Sequence, residues 1–175
     1  QYVFTQPDRP SGRMRQLTPT PVKTTALRHS LNVIELEKFD KKPDADNIIQ
    51  NSDLCILYAY GAILPEYILS LPKNGFWNIH PSLLPKYRGT SPIATPLIKG
   101  EKSTGVTLIK MDRKIDHGPI IDQVGYTIQE SDKRPDLERK LTDLGYALLK
   151  KSLLNLNKIK YTEQNHEQAT YTKKL

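Results

Sequence analysis

Apolar positions along this chain alternate between short strand-like runs and stretches with helical spacing. Tyr2-Val3-Phe4 opens as a strand, Val22–Ser30 reads as a short helix, and Asn32–Leu36 reads as a second strand. Asp44–Gln50 follows as a helix, with Asp44 or a neighbour as its cap. The longest apolar run is Leu54-Cys55-Ile56-Leu57-Tyr58-Ala59-Tyr60, closed by Gly61; it predicts a buried strand over Asp53–Tyr60. Pro65 suits the first turn of a helix running to Leu71. A strand over Gly75–His80, a loop over Ser82–Gly89 and a helix over Pro92–Lys99 come next. Gly105–Lys110 and Ile120–Ile128 alternate as strands. Leu137, Leu141, Leu144 and Leu148 then mark one face of a long helix from Arg134 to about Asn155. The tail from Ile159 to Leu175 is polar. Strands interleaved with helices predict an α/β fold with a mostly parallel, Rossmann-like sheet and flanking helices.

Within the strand ending at His80, Asn78 and His80 are two residues apart, so their side chains share a face. Pro81 cannot donate to a ladder, so the strand ends there. An amide and an imidazole therefore sit at a strand's carboxyl end, where open α/β sheets place their ligand crevices. Met111-Asp112-Arg113-Lys114-Ile115-Asp116-His117-Gly118-Pro119 supplies a carboxylate in a turn. Asn, His and Asp together can stabilise an oxyanion, move a proton and orient the group that moves it. Each also has an ordinary reading: a capping amide, a structural strand histidine, a turn aspartate.

Composition narrows the setting. The 175 residues, 37% hydrophobic and 26% charged, suffice for one domain with a real core. No apolar run reaches the ~20 residues of a membrane span, and no secretory signal opens the chain. The single Cys55 lies in the apolar run and reads as a small buried hydrophobe, compatible with a reducing cytoplasm. With no Cys/His cluster, no metal is expected. Glycine-rich dinucleotide, P-loop and Gly-x-Ser-x-Gly fingerprints are absent, which argues against nucleotide use and a serine nucleophile. The net charge of +7 changes the picture through its placement. Arg9, Arg13, Arg15, Lys23 and Arg28 face only Asp8 in the first thirty residues, and the loop over residues 7–21 carries Pro7, Pro10, Pro19 and Pro21. A proline-stiffened basic loop can reach a phosphate backbone; the bland alternative is a solubilising loop.

The run Asn78-Ile79-His80-Pro81-Ser82-Leu83-Leu84-Pro85 together with Ile115-Asp116-His117-Gly118 resembles the folate-dependent formyltransferases. The segment from Gln6 to Lys23 resembles the loop of those members that formylate methionyl initiator tRNA, the methionyl-tRNA formyltransferases. This resemblance spans nearly the whole chain. It implies transfer of a formyl group from 10-formyltetrahydrofolate, a cosubstrate, to the amine of initiator Met-tRNA, with Asn78, His80 and Asp116 catalytic. It implies that Asp116 orients His80 and raises its pKa. It places Tyr60, Gly61, Ile63 and Leu64, within Tyr58–Pro65, at the folate's pterin, with Ser82, Leu83, Leu84 and Pro85 lining the site. Arg9, Arg13 and Arg15 would contact tRNA; Lys86 and Arg88 either face the RNA or sit in a solvated loop. His117 stands where the family commonly has Thr and receives no catalytic role; His29 and His166 receive none either.

The family also has a βα unit ahead of the first strand seen here, with a Gly-Thr-Pro turn at the folate and a central strand. The chain is thus expected to be a partial catalytic domain over 1–175, with 159–175 beginning a linker toward a C-terminal barrel. A cytoplasmic monomer is expected. Two other readings stay open: a formyltransferase acting on glycinamide ribonucleotide or an amino sugar, which generally lacks the Gln6–Lys23 segment, and a noncatalytic RNA-binding remnant.

Overall fold

The computed structural model describes residues 1–39, 42–61 and 63–175. In chain order the strands are β1 (Tyr2–Thr5), β2 (Arg9–Ser11), β3 (Gln16–Thr18), β4 (Asn32–Glu35), β5 (Cys55–Leu57), β6 (Phe76–His80), β7 (Arg88–Gly89), β8 (Ser103–Lys110), β9 (Ile120–Thr127) and β10 (Tyr171–Thr172). The helices are α1 (Pro21–Arg28), α2 (Pro43–Gln50), α3 (Glu66–Leu69), α4 (Ala94–Ile98) and α5 (Arg134–Leu154). None is long and apolar enough to cross a membrane, among the described residues.

The main sheet has the order β5-β6-β8-β9. β5 and β6 run parallel, while β8 and β9 join antiparallel, so this sheet is mixed. β1 and β4 form a separate parallel pair. The two pieces share one core: Phe4 and Ile34 of the pair, and Cys55 and Leu57 of β5, pack against Leu36, Phe39, Ala45, Ile49, Ile68 and Phe76. On the other face α5 sets Leu137, Leu141 and Leu148 against Trp77, Val106 and Leu108. Close approach there requires a small residue, because a Cβ on Gly145 would lie 2.8 Å from Ile79 Cγ2.

β6 is the strand that positions the site. Phe76 belongs to the first core and Trp77 to the second, so side chains alternate across the sheet as a strand period of two demands. Asn78 and His80 therefore fall on the face of Phe76. Each fully buried large apolar side chain here contributes about 1.5–3 kcal/mol, and β6 has such residues on both faces, which fixes its register.

Several expectations need correction. The apolar run over 53–60 yields only Cys55–Leu57 as strand, with Ile56 41% exposed, because β5 is the edge of the main sheet. Ala59 (φ 48°) and Gly61 (φ 76°) then turn the chain away in left-handed conformations. In α2, Lys42 occupies the N-cap without a side-chain bond, and Asp44 and Asp46 sit in the first turn, where they complement the helix dipole. The basic loop is not irregular: β2 and β3 pair as a hairpin, turned at Gly12 (φ 69°) with Arg15 N donating to Gly12 O at 3.2 Å. The tail also carries structure, since β10 pairs in parallel with β7.

Candidate active site

At the carboxyl end of β6, Asn78, His80 and Asp116 converge. Asn78 Nδ2 donates to Asp116 Oδ1 at 3.3 Å, and His80 Nδ1 lies 3.4 Å from the same oxygen. The other carboxylate oxygen, Oδ2, accepts from Gly89 N at 2.8 Å. His80 Nε2 donates to the Tyr87 carbonyl at 2.9 Å, which fixes the ring and leaves Nδ1 toward Asp116. His80 is 4% and Asn78 8% exposed. One Asn78 amide hydrogen goes to Asp116, and the second, with no hydrogen bond among the described residues, can meet a developing negative charge.

Burial pushes the His80 imidazole below its ordinary value. The Asp116 charge and the Tyr87 carbonyl act in the opposite direction, and the Arg88 charge acts with burial. The expected rise is thus outweighed: His80 rests neutral, and a proton arriving on Nδ1 meets the Asp116 carboxylate. A stability consequence follows. The unfolded chain binds this proton at a higher pH (about 6.5) than the folded chain does, so stability is complete above that pH. It falls as pH drops toward the folded-state value and levels off below it, with a slope of at most about 1.4 kcal/mol per pH unit for one proton. Urea unfolding from about pH 7.5 down to 5.5 is expected to show this loss in the parent and a smaller one in His80→Gln. Equal losses in both would remove His80 as the source.

Asp116 is held in a left-handed conformation (φ 49°), which an aspartate tolerates better than most residues. The turn around it is anchored from a distance. Gln164, 4% exposed, donates from Nε2 to the carbonyls of Asp116 (3.0 Å) and Gly118 (2.7 Å). Its Oε1 accepts from Arg88 Nη2 at 2.6 Å. Arg88 Nη2 also donates to His166 Nδ1 at 2.9 Å. Desolvation first, and then the His117 and Arg88 charges, hold His166 below its usual value, consistent with a neutral acceptor. His117 stacks on His166 with ring centroids 3.9 Å apart and pairs with Asp112 Oδ2 at 2.6 Å.

Among the other expected site residues, Arg88 needs correction. Arg88 is 1% exposed and bound to Gln164, His166 and Tyr171, so it cannot face an RNA. Its burial has a physical cause: the tail folds over it and supplies acceptors. Ser82 and Leu84 are buried and turned to β8, where Thr107 Oγ1 donates to Ser82 O (2.6 Å) and accepts from Leu84 N (3.1 Å). These backbone bonds tie the Ser82–Leu84 segment to β8. Leu83 packs at Gly105, and Pro85 follows a cis peptide. Leu64 lies in the core, and Tyr60 packs on Phe39 and donates to Leu36 O at 2.7 Å. Gly61 is exposed and Ile63 is 85% exposed. Ala62, in the same stretch, lies outside the described residues. The Cys55 thiol is pushed up to about 11 by burial, as suits an inert side chain.

A cavity of about 670 Å³ opens beside the Asp116 turn, lined among others by Leu69, Lys110, Met111, Asp112, Arg113 and His117. Its volume is in the range of small-ligand sites. Arg9, Arg13 and Arg15 are exposed on the hairpin. Arg9 lies 3.6 Å from Glu37, whereas Arg13 and Arg15 form no ion pair among the described residues. Lys23 is committed to the hairpin's base, 2.8 Å from Asp8 and 2.6 Å from Glu35.

A sequence model of the family described as formyl transferase matches residues 1–153. The chain belongs to that family. Methionyl-tRNA formyltransferase of Enterococcus faecalis is 44% identical over 175 residues, covering 98% of this chain and 56% of the relative. That of Thermotoga maritima is 44% identical over 172 residues, covering 97% and 55%. The chain thus spans about half the length of the curated relatives it matches. Among solved formyltransferases, phosphoribosylglycinamide formyltransferase from Bacillus halodurans superposes with a TM-score of 0.72 at 25% identity, covering 90% of this chain and 80% of that one. A sugar 3N-formyl transferase, WlaRD, solved in the presence of dTDP and 5-N-formyl-THF, gives 0.72 at 27% identity, covering 86% and 52%.

Sequence reasoning named Asn78, His80 and Asp116, and the structure brings the three side chains together. It missed Gln164, the Gly89 N–H and the Tyr87 carbonyl. Backbone groups have no sequence signal, and a glutamine in a polar tail gives none that separates it from a solvated residue.

Proposed function

We propose that this chain transfers a formyl group from 10-formyltetrahydrofolate to the amino group of methionyl initiator tRNA. The observation that carries the reading is the convergence of Asn78, His80 and Asp116 in one buried cluster at the end of β6. The relatives named methionyl-tRNA formyltransferase support the tRNA substrate, and the neighbour solved with 5-N-formyl-THF supports the folate. The free Asn78 N–H and the neutral His80 fit such a cosubstrate, which supplies the formyl carbon on N10. Asn78 donates to the formyl oxygen as it becomes negative under attack by the amine. His80 takes the proton the amine releases, and Asp116 stabilises the imidazolium. His80 then returns that proton to N10, so the leaving nitrogen departs neutral while the carbonyl reforms. Ile63 and Gly61 remain the candidates for pterin contact, and the cavity at Leu69 and Met111 is the candidate recess. The reading includes a cytoplasmic setting, since the partner is a translation substrate.

Arg13 and Arg15 are the candidate tRNA contacts, because they are exposed and form no ion pair among the described residues, on a hairpin whose base is tied by Lys23. Arg13→Ala with Arg15→Ala is expected to weaken tRNA binding and to make its log–log salt slope shallower by about 1 for each phosphate left without its arginine. Folate affinity should not change. The decisive test supplies labelled 10-formyltetrahydrofolate with charged initiator tRNA, glycinamide ribonucleotide or a nucleotide-linked amino sugar. Label in the methionyl-tRNA supports the reading. Label only in another acceptor, or in none, overturns it.

A further inference from the structure

We propose that Gln164 is a positioning residue that holds the Asp116 carboxylate against His80, by tying the turn that carries Asp116 to the loop that carries Arg88 and Gly89. The inference rests on the formyl-transfer reading of the cluster and adds a residue beyond positions 1–153 that match the family.

Gln164's amide is fully engaged and can sit only one way round. Its Oε1 meets Arg88 Nη2, which only donates, and its Nε2 meets two carbonyls, which only accept. A flipped amide would face like against like at all three contacts. The carbonyls are those of the left-handed Asp116 itself and of Gly118, two residues on. For a non-glycine residue such a backbone costs on the order of 1 kcal/mol, and it persists only when its surroundings over-determine it. Gln164 supplies two of the restraints. Arg88, the third partner, directly precedes Gly89, whose N–H holds Asp116 Oδ2. One buried amide thus sets both the backbone of Asp116 and the donor that aims its carboxylate. β10 reinforces the same loop, with Thr172 Oγ1 donating to Arg88 O at 3.1 Å. The groups facing His80 are Asp116 and Arg88, and those facing Gln164 are Arg88 and the Asp116 turn.

Gln164→Glu separates positioning from general support. It keeps an acceptor for Arg88, whose guanidinium holds the new side chain ionised, but loses both donors to the turn. Gln164→Leu removes all three hydrogen bonds. In the full protein, kcat for formyl transfer in the Glu variant is expected to fall about 10-fold or more, with both KM values within about twofold. In Gln164→Leu, which adds no charge, the ring titration of His80, followed by NMR on labelled histidine, is expected to move to lower pH as the carboxylate withdraws, while His29 stays in place. A folded Glu variant with parental kcat, or a folded Leu variant with an unmoved His80 titration, overturns the proposal. If Gln164→Leu does not fold, the Glu variant decides. If the parent transfers no formyl group to any acceptor, the functional reading fails, and the His80 titration alone decides whether Gln164 positions Asp116.

Discussion

His80→Ala is expected to lower kcat for formyl transfer by about 100-fold or more, with little change in either KM. The size follows from what the side chain does. Proton transfer by a placed imidazole contributes about 10²–10⁴-fold, or roughly 3–5 kcal/mol of barrier. The loss should appear in kcat, since the groups proposed to bind the substrates are others: the exposed hairpin arginines and the lining of the cavity by Met111. His80→Gln is the cleaner companion. Its amide can still donate to the Tyr87 carbonyl and fill the buried space, yet it cannot carry a proton. An equal loss in both variants assigns the effect to proton transfer. Parental turnover in His80→Gln would place the chemistry on another group and leave His80 a structural histidine.

The parts of this site that depend on local pattern were legible in the sequence. The two-residue spacing of Asn78 and His80, with Pro81 after them, placed both side chains on one face at a strand end, and the structure has them there. The leucine spacing in α5 marked the residues that pack on Trp77 and Val106. What failed depended on distant segments. Arg88 reads as a surface cation beside Lys86 and Tyr87. It is buried because Gln164, His166 and Tyr171, some eighty residues on, fold over it. The apolar run over 53–60 reads as central strand, but hydrophobicity does not tell an edge from a middle position, and β5 is an edge. The pairing of β10 with β7 in the polar tail was not legible either, because a two-residue strand leaves no periodic trace. Burial of a charged or polar group is a property of the partners that reach it, and those partners are set by topology.

Gly118→Ala is expected to be among the most damaging single-methyl additions in this chain. A Cβ at that position would lie 1.9 Å from the Lys110 carbonyl oxygen and 3.0 Å from its carbon. Both are backbone atoms at the end of β8, and Lys110 N is itself held by the Pro119 carbonyl at 3.0 Å. No rotamer change relieves the clash, so the turn must move. Overpacking of well-packed sites costs about 1–3 kcal/mol, and collision with fixed backbone lies at or above the upper end. The movement would reach the site, because Gly118 is two residues from Asp116 and its carbonyl shares the Gln164 amide. Chemical denaturation should therefore show a midpoint lowered by about 3 kcal/mol or more of stability. Formyl transfer by the fraction that remains folded should also fall, since a shift of about 1 Å in a catalytic group can cost ~100-fold. The paired outcome is the test: lower stability with a parental kcat per folded molecule would mean that the turn can be displaced without moving Asp116 from His80.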